Sequence, residues 1–231
     1  MSFIEVGITP VGSEIDELLR MLSFARFRAS LVDVNTWPAN LQQPQDGAVL
    51  SLLKRVTLQD FGNKTENKND LEAWRKVCLL LVQQCTTPEV TKWASQDQRI
   101  DALTFPPNVI HQLFDLSTAR MMSDNNKILE IPLKPYLPPR AATIAIFRSL
   151  AKAVRRARIK ELPVVFPSFA STKHEVVGPY EIEGFCRFIG FPEGYYFDVS
   201  QTAIASHLER NQKRFYDNYI APGIEKVDLD Q

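Results

Sequence analysis

Short apolar runs separated by amphipathic segments set the rhythm of this chain. Phe3–Ile8 reads as a first strand. Ile15–Phe24 follows as a helix with Ile15, Leu18, Leu19 and Leu22 at helical spacing. Ala29–Val34 and Val49–Leu58 read as the next strands, and Leu71–Lys76 as a short helix. Val77–Val82 is a fourth strand, and Thr87–Ser95 is a helix opening at Pro88. Ile100–Thr104 is a fifth strand, stopped by Phe105-Pro106-Pro107. Asp115 is a good N-cap for a helix over Leu116–Ser123. Ile128–Leu133, a long helix over Ala141–Ile159 and a strand at Leu162–Phe166 continue the pattern. Helices at Pro179–Ile189 and Thr202–Tyr216 end it, with a weak eighth strand at Tyr195–Val199.

Such repeated strand–helix alternation over a chain of this length predicts an α/β fold, a TIM-like β/α barrel, as a single domain spanning residues 1–231. A doubly wound sheet competes, and periodicity does not separate the two. Two polar stretches, 35–47 and 62–70, read as loop insertions. In a barrel, Thr104-Phe105, Lys134 and Ser168-Phe169-Ala170-Ser171 would gather at the rim formed by the strand C-termini.

Composition adds limits. At 231 residues and 45% hydrophobic content the chain can bury a sizeable core. The N-terminus shows no signal-peptide pattern, and no apolar run is long enough to cross a bilayer. The three cysteines Cys78, Cys85 and Cys186 give an odd count with no C-x-x-C pair; Cys78, inside an apolar run, reads as a buried free thiol, and the set fits a reducing cytoplasm.

Lys and Arg total 27 and Asp and Glu 27, yet the balance fails locally. Between Ile131 and His174 stand nine basic residues (Lys134, Arg140, Arg148, Lys152, Arg155, Arg156, Arg158, Lys160 and Lys173) against Glu161 alone. A neutral chain with one basic segment suggests contact with a polyanion through one face. On the long helix, Ile144, Phe147, Ala151 and Val154 form an apolar stripe, while Arg148, Lys152, Arg155 and Arg156 share another face. That face is either an ordinary solvated surface or a surface for RNA or an acidic protein. The loop at Ser168–Glu175, with Lys173 and His174, and the cations Arg210, Lys213 and Arg214 offer further phosphate contacts, or a polar loop and a helix terminus.

Catalytic signatures are missing. No Walker loop, dinucleotide loop or G-x-S-x-G elbow occurs. His111, His174 and His207 are isolated, so no metal site is expected. The pairs Glu181/Glu183 and Asp228/Asp230 read as solvated surface.

Several segments together resemble ribonuclease P protein component 3. Arg99-Ile-Asp-Ala-Leu-Thr-Phe-Pro-Pro107 is similar to that family's "R-x-D-x-L-S-F-P" strand. Phe114-Asp-Leu-Ser-Thr-Ala119 and Ile128-Leu-Glu-Ile131 resemble its next helix and "x-E-I" strand. Leu162-Pro-Val-Val-Phe-Pro-Ser168 is similar to "L-P-V-V-x-S-S", and Gly178-Pro179 and Leu208-Glu-Arg-Asn-Gln-Lys-Arg214 follow in order. The resemblance implies a PHP-like barrel in ribonuclease P of archaeal or eukaryotic type. There the RNA removes the 5′ leader of precursor tRNA, with magnesium expected for that RNA, and the chain itself is noncatalytic with no cofactor. Implied partners are the ribonuclease P RNA, protein component 2 and other subunits, with precursor tRNA met indirectly and no membrane. The residues expected to meet RNA are Lys134, Arg140, Ser168, Lys173, His174, Arg210 and Arg214. Arg148, Lys152, Arg155 and Arg156 form a partner or RNA face. A stand-alone phosphoesterase-like barrel and a protein-interaction scaffold are the alternatives.

Overall fold

A computed structural model describes residues 3–10, 15–34, 50–59, 71–137, 143–215, 219–221 and 224–225. The polar stretches 35–47 and 62–70 lie outside the described residues, as does Arg140.

Among the described residues, seven parallel strands lie in chain order: β1 (Phe3–Ile8), β2 (Phe27–Asp33), β3 (Ser51–Leu58), β4 (Leu80–Gln84), β5 (Ala102–Thr104), β6 (Ile128–Glu130) and β7 (Val164–Val165). Each pairs with its sequence neighbour, and described helices lie in the crossovers leading to β2, β4, β5, β6 and β7. These helices are α1 (Ile15–Phe24), α2 (residues 71–75), α3 (Pro88–Gln96), the short α4 (Ile110–Leu113), α5 (Leu116–Asp124) and α6 (Thr143–Ile159). After β7 come α7 (Pro179–Phe188) and α8 (Gln201–Gln212), with a small antiparallel pair at Tyr219–Ala221 and Ile224–Glu225. Caps fall where the side chains allow. Thr87 accepts from the N–H of Val90, and Asp115 from that of Thr118.

Alternation along the strands divides the core in two. Val32, Leu81, Leu103, Leu129 and Val164 pack outward beneath Leu18, Leu22, Val90, Ala94, Met122 and Leu150 of the helices. Ile4, Val6, Leu31, Leu80, Val82, Ala102, Ile128 and Val165 pack inside, where Ile204 and Leu208 of α8 join them at the N-terminal end of the strands. The sheet therefore closes on itself as a β/α barrel and not as a doubly wound sheet. Closure runs through the chain after β7. Ile8 bridges Ala170, Phe169 N–H donates to Gly7 C=O at 2.9 Å, and Thr9 N–H to Ala170 C=O at 3.0 Å.

Four expectations shift. Tyr195–Val199 is no strand: Tyr196–Ser200 is a π-helical turn running into α8. The reason is tertiary. The buried Glu183 carboxylate accepts from Gly194 N–H at 2.7 Å and Tyr196 N–H at 2.9 Å, which anchors a helix start. Glu183 is consequently no solvated surface residue. The fourth strand lies over Leu80–Gln84, later than the apolar run at Val77–Val82, with Val77 exposed. Polar Gln83 and Gln84 continue it because Gln83 Nε2 finds the carbonyls of Leu58 and Gln84. The apolar stripe of α6 is also rotated. Leu150, Ala153, Val154 and Ala157 are buried, whereas Ile144 and Ala151 face solvent.

Candidate nucleic-acid interface

The strand C-termini surround a cavity of about 430 Å³ lined by Asp33, Thr57, Gln84, Thr104, Glu130 and Phe169. This is where β/α barrels carry their working groups. Its floor is a salt bridge. Arg55 and Glu130 are both fully buried, 3.0 Å apart, and Arg55 also donates to Val6 C=O at 2.8 Å and Thr57 Oγ1 at 3.1 Å. The Phe169 ring covers the guanidinium at 5.0 Å, a cation–π contact. Phe169 holds φ of 49°, a left-handed conformation fixed by its bonds to Gly7 and Thr9. A Cβ on Gly7 would come within 2.6 Å of Arg55 Nη1, so only glycine lets the guanidinium approach the strand this closely.

Beside this pair sits Glu5. Its Oε1 accepts from Ser168 N–H at 2.9 Å and Gly7 N–H at 3.2 Å, while burial pushes the carboxyl up to about 7. Among the described residues around it, no nucleophile stands against a base. Among the described residues no group of three His, Cys, Asp or Glu could hold a metal ion. The sequence pattern assigns no role to Arg55 or Glu5 and shows Glu130 only as the acid of the "x-E-I" strand. The available signal was a charged residue inside each of three apolar strand runs.

Four of the expected RNA contacts lie on the loops above this floor. Lys134 Nζ sits 3.0 Å from Glu175, whose carboxyl is drawn down to about 2 by Ser171 hydroxyl and backbone donors and by Lys134. Lys173 Nζ meets Glu17 of α1 at 2.6 Å, lowering that carboxyl as well. His174 is exposed next to it. Ser168 does not fit the role of a donor to RNA: it is buried, and its Oγ accepts from Ala170 N–H at 3.1 Å, which folds the loop.

Arg210 and Arg214 lie at the other end of the barrel. Asp101, immediately before β5, is buried there and takes Arg75 at 2.6 and 2.9 Å, Leu81 N–H at 2.9 Å, Asn211 at 3.0 Å and Arg210 at 3.3 Å. These partners hold its carboxyl below the usual range despite burial. His207 spans the carbonyls of Ala203 and Asn126, and Lys127 donates to those of Asp97 and Ile100. Arg210 thus belongs to a polar plug that seats α8 across the strand N-termini. That end of a barrel serves stability.

On α6 the cations divide. Arg156 donates to the carbonyls of His111 and Phe114 at 2.7 Å each, and so ties α6 to the α4–α5 corner. Arg148, Lys152 and Arg155 are exposed. The expected partner face therefore loses Arg156 to an internal role.

All three cysteines are free and buried, with the Cys78 thiol pushed up to about 12 by burial. Among the described residues no helix is long and apolar enough to cross a membrane.

Comparison with solved structures places this geometry. At 14% identity and a TM-score of 0.76, covering 99% of both chains, the fold matches a chain in the cryo-EM structure of archaeal ribonuclease P with mature tRNA. An uncharacterised protein of known crystal structure matches at 8% identity and a TM-score of 0.52, over 90% of this chain and 74% of that one. No curated protein matches in sequence. The family profile described as RNase P subunit p30 matches residues 29–215, and a match over that share of the sequence means that the chain belongs to the RNase P subunit p30 family.

Proposed function

We propose that this chain is a noncatalytic protein subunit of ribonuclease P, supporting the RNA that removes the 5′ leader of precursor tRNA. The observation that carries the reading is the barrel mouth. Where a barrel hydrolase would present reactive groups, this one holds a fully buried Arg55–Glu130 pair, with Arg55 also bound to the Val6 carbonyl. Family membership and the likeness to a chain of an archaeal ribonuclease P point the same way. Magnesium serves the RNA, and the chain carries no cofactor of its own. The setting is the cytoplasm, and the barrel acts as one domain with its insertions.

RNA meets the rim through Lys134, Lys173 and His174. Both lysines stand in exposed ion pairs, which contribute little and exchange readily for phosphate. The direct test is cleavage of precursor tRNA by reconstituted ribonuclease P, with and without this chain, across a magnesium series. A lowered magnesium requirement or a higher rate supports the subunit. An unchanged rate, with no binding to any other component, removes it.

A further inference from the structure

Helix α6 carries five cations and no acidic residue along its length. Their angular positions sort them. Arg156 and Arg158, at the two edges, are bound to neighbouring backbone: Arg156 to the α4–α5 corner, and Arg158 to Gly190 C=O beyond α7 at 2.6 Å. Arg148, Lys152 and Arg155 point outward and are exposed. Among the described residues none of the three has a hydrogen-bond or ion-pair partner.

Apolar side chains share that outward face. At ~100° per residue, Ile144, Arg148, Ala151, Lys152, Arg155 and Ile159 fall within an arc of roughly 100°. Ile144 is 68% exposed and Ile159 55%. Phe188, at the end of α7, is 72% exposed and stands edge-on to Phe147 of α6 at 5.5 Å, which extends the apolar strip across the junction of the two helices. A helix whose only task was to shield the sheet would turn these residues inward, and its inner face is already filled by Leu150, Ala153, Val154 and Ala157.

We propose that the outer face of α6, with Phe188 of α7, docks an acidic segment bearing apolar side chains from another protein subunit. The claim rests on the subunit reading above and names the surface within it. Charge complementarity selects the occupant. Three cations with no acid among them attract carboxylates and repel a basic surface. The apolar part selects protein over RNA. Phosphate contacts use cations and hydrogen-bond donors and give Ile144, Ile159 and Phe188 nothing to bury, whereas apolar side chains of a protein segment leave water together with them. An apolar strip flanked by charge is also the form of a groove that receives an amphipathic helix.

The test uses the full chain with each purified protein subunit of the same ribonuclease P, and separately with its RNA. Two double variants divide the contributions: Ile144→Ser with Phe188→Ser, and Arg148→Glu with Arg155→Glu. All four positions are exposed, and an unchanged melting temperature confirms folding. The serine pair is expected to weaken association with one protein subunit by about tenfold or more while RNA affinity stays unchanged. The glutamate pair is expected to slow association with that same subunit and to remove its salt dependence. Intact protein association in the serine pair, with RNA affinity lost in the glutamate pair, overturns the proposal in favour of an RNA face. No change in either variant overturns it outright. Failure of the unaltered chain to join any component overturns the subunit reading itself, and is distinguished by appearing before any substitution is made.

Discussion

The side-chain amide of Gln201 hydrogen-bonds both backbone groups of Ile4: Oε1 accepts its N–H at 2.7 Å, and Nε2 donates to its C=O at 3.1 Å. On the facing side of the same gap, Tyr195 O–H accepts from Val164 N–H at 3.0 Å, and Ser200 O–H donates to Val164 C=O. An eighth strand would supply these four bonds. Here three side chains at the π-helical entry to α8 supply them, and so cover the facing edges of β1 and β7 at Ile4 and Val164. Gln201→Ala removes two of the bonds from a nearly buried strand edge. The expected cost is about 2 kcal/mol, read as a lower denaturant midpoint with an unchanged slope. A variant as stable as the parent would show that water replaces the amide at no cost.

The plug at the strand N-termini makes a second expectation with a built-in contrast. Asp101→Asn leaves the Arg75 guanidinium buried without its charge partner, and about 3 kcal/mol should be lost. Arg210→Ala removes a half-exposed partner of the same carboxylate and should cost no more than about 1 kcal/mol. Because Arg210 stands at the opposite end from the rim, its removal should also leave RNA affinity unchanged. Equal stability losses in the two variants would mean that Asp101 depends on the sum of its cations and not on Arg75.

Much of this was legible in the sequence, for a physical reason. Barrel strands are buried on both faces and appear as apolar runs between turn signals, so the seven strands and most helices fell near their places. The missed parts are those where tertiary contacts override local pattern. Tyr195–Val199 has strand-like residues, but Glu183 caps it as a helix start. On α6 the apolar residues are too many for one inner stripe, so periodicity alone could not tell Val154, inside, from Ile144, outside. The nine-to-one excess of cations also overstated the free charge. Lys134 and Lys173 find acids from distant parts of the chain, and Arg156 and Arg158 serve carbonyls. Linear sequence cannot show such pairings.

Glu5 makes stability depend on pH. Its folded carboxyl sits at about 7 against an ordinary 4.5, because burial disfavours the charge more than its hydrogen bonds and Arg55 favour it. The folded protein thus holds this proton more tightly than the unfolded chain. The stability it contributes is fully present below pH 4.5 and is lost as pH rises through about 7. His207, held below 6.5 by burial, acts in the opposite sense, losing stability as pH falls. The difference between the parent and Glu5→Gln isolates the carboxyl. Relative to its standing at pH 4.5, the glutamine variant should gain up to about 3 kcal/mol on the parent by pH 7.5. A difference that does not vary with pH would mean that Glu5 is solvated in solution.

The rim lysines offer a last test in which removal and release should act oppositely. Lys173→Ala takes away a cation and is expected to weaken RNA binding by roughly threefold to tenfold, reducing the slope of log affinity against log salt by about 0.7–0.9. Cleavage position should stay the same, because in the proposed subunit the RNA carries the hydrolysis. Glu17→Gln keeps Lys173 and removes its competing carboxylate at 2.6 Å, so RNA affinity should rise. Glu175→Gln should do the same for Lys134, whose partner at 3.0 Å is the more strongly held anion. If freeing the lysines leaves RNA affinity unchanged, their ion pairs hold the loops together and RNA is met elsewhere on the chain. Weaker binding in Glu17→Gln would instead mean that the pair orients Lys173 for contact, which a parallel loss in Lys173→Ala would corroborate.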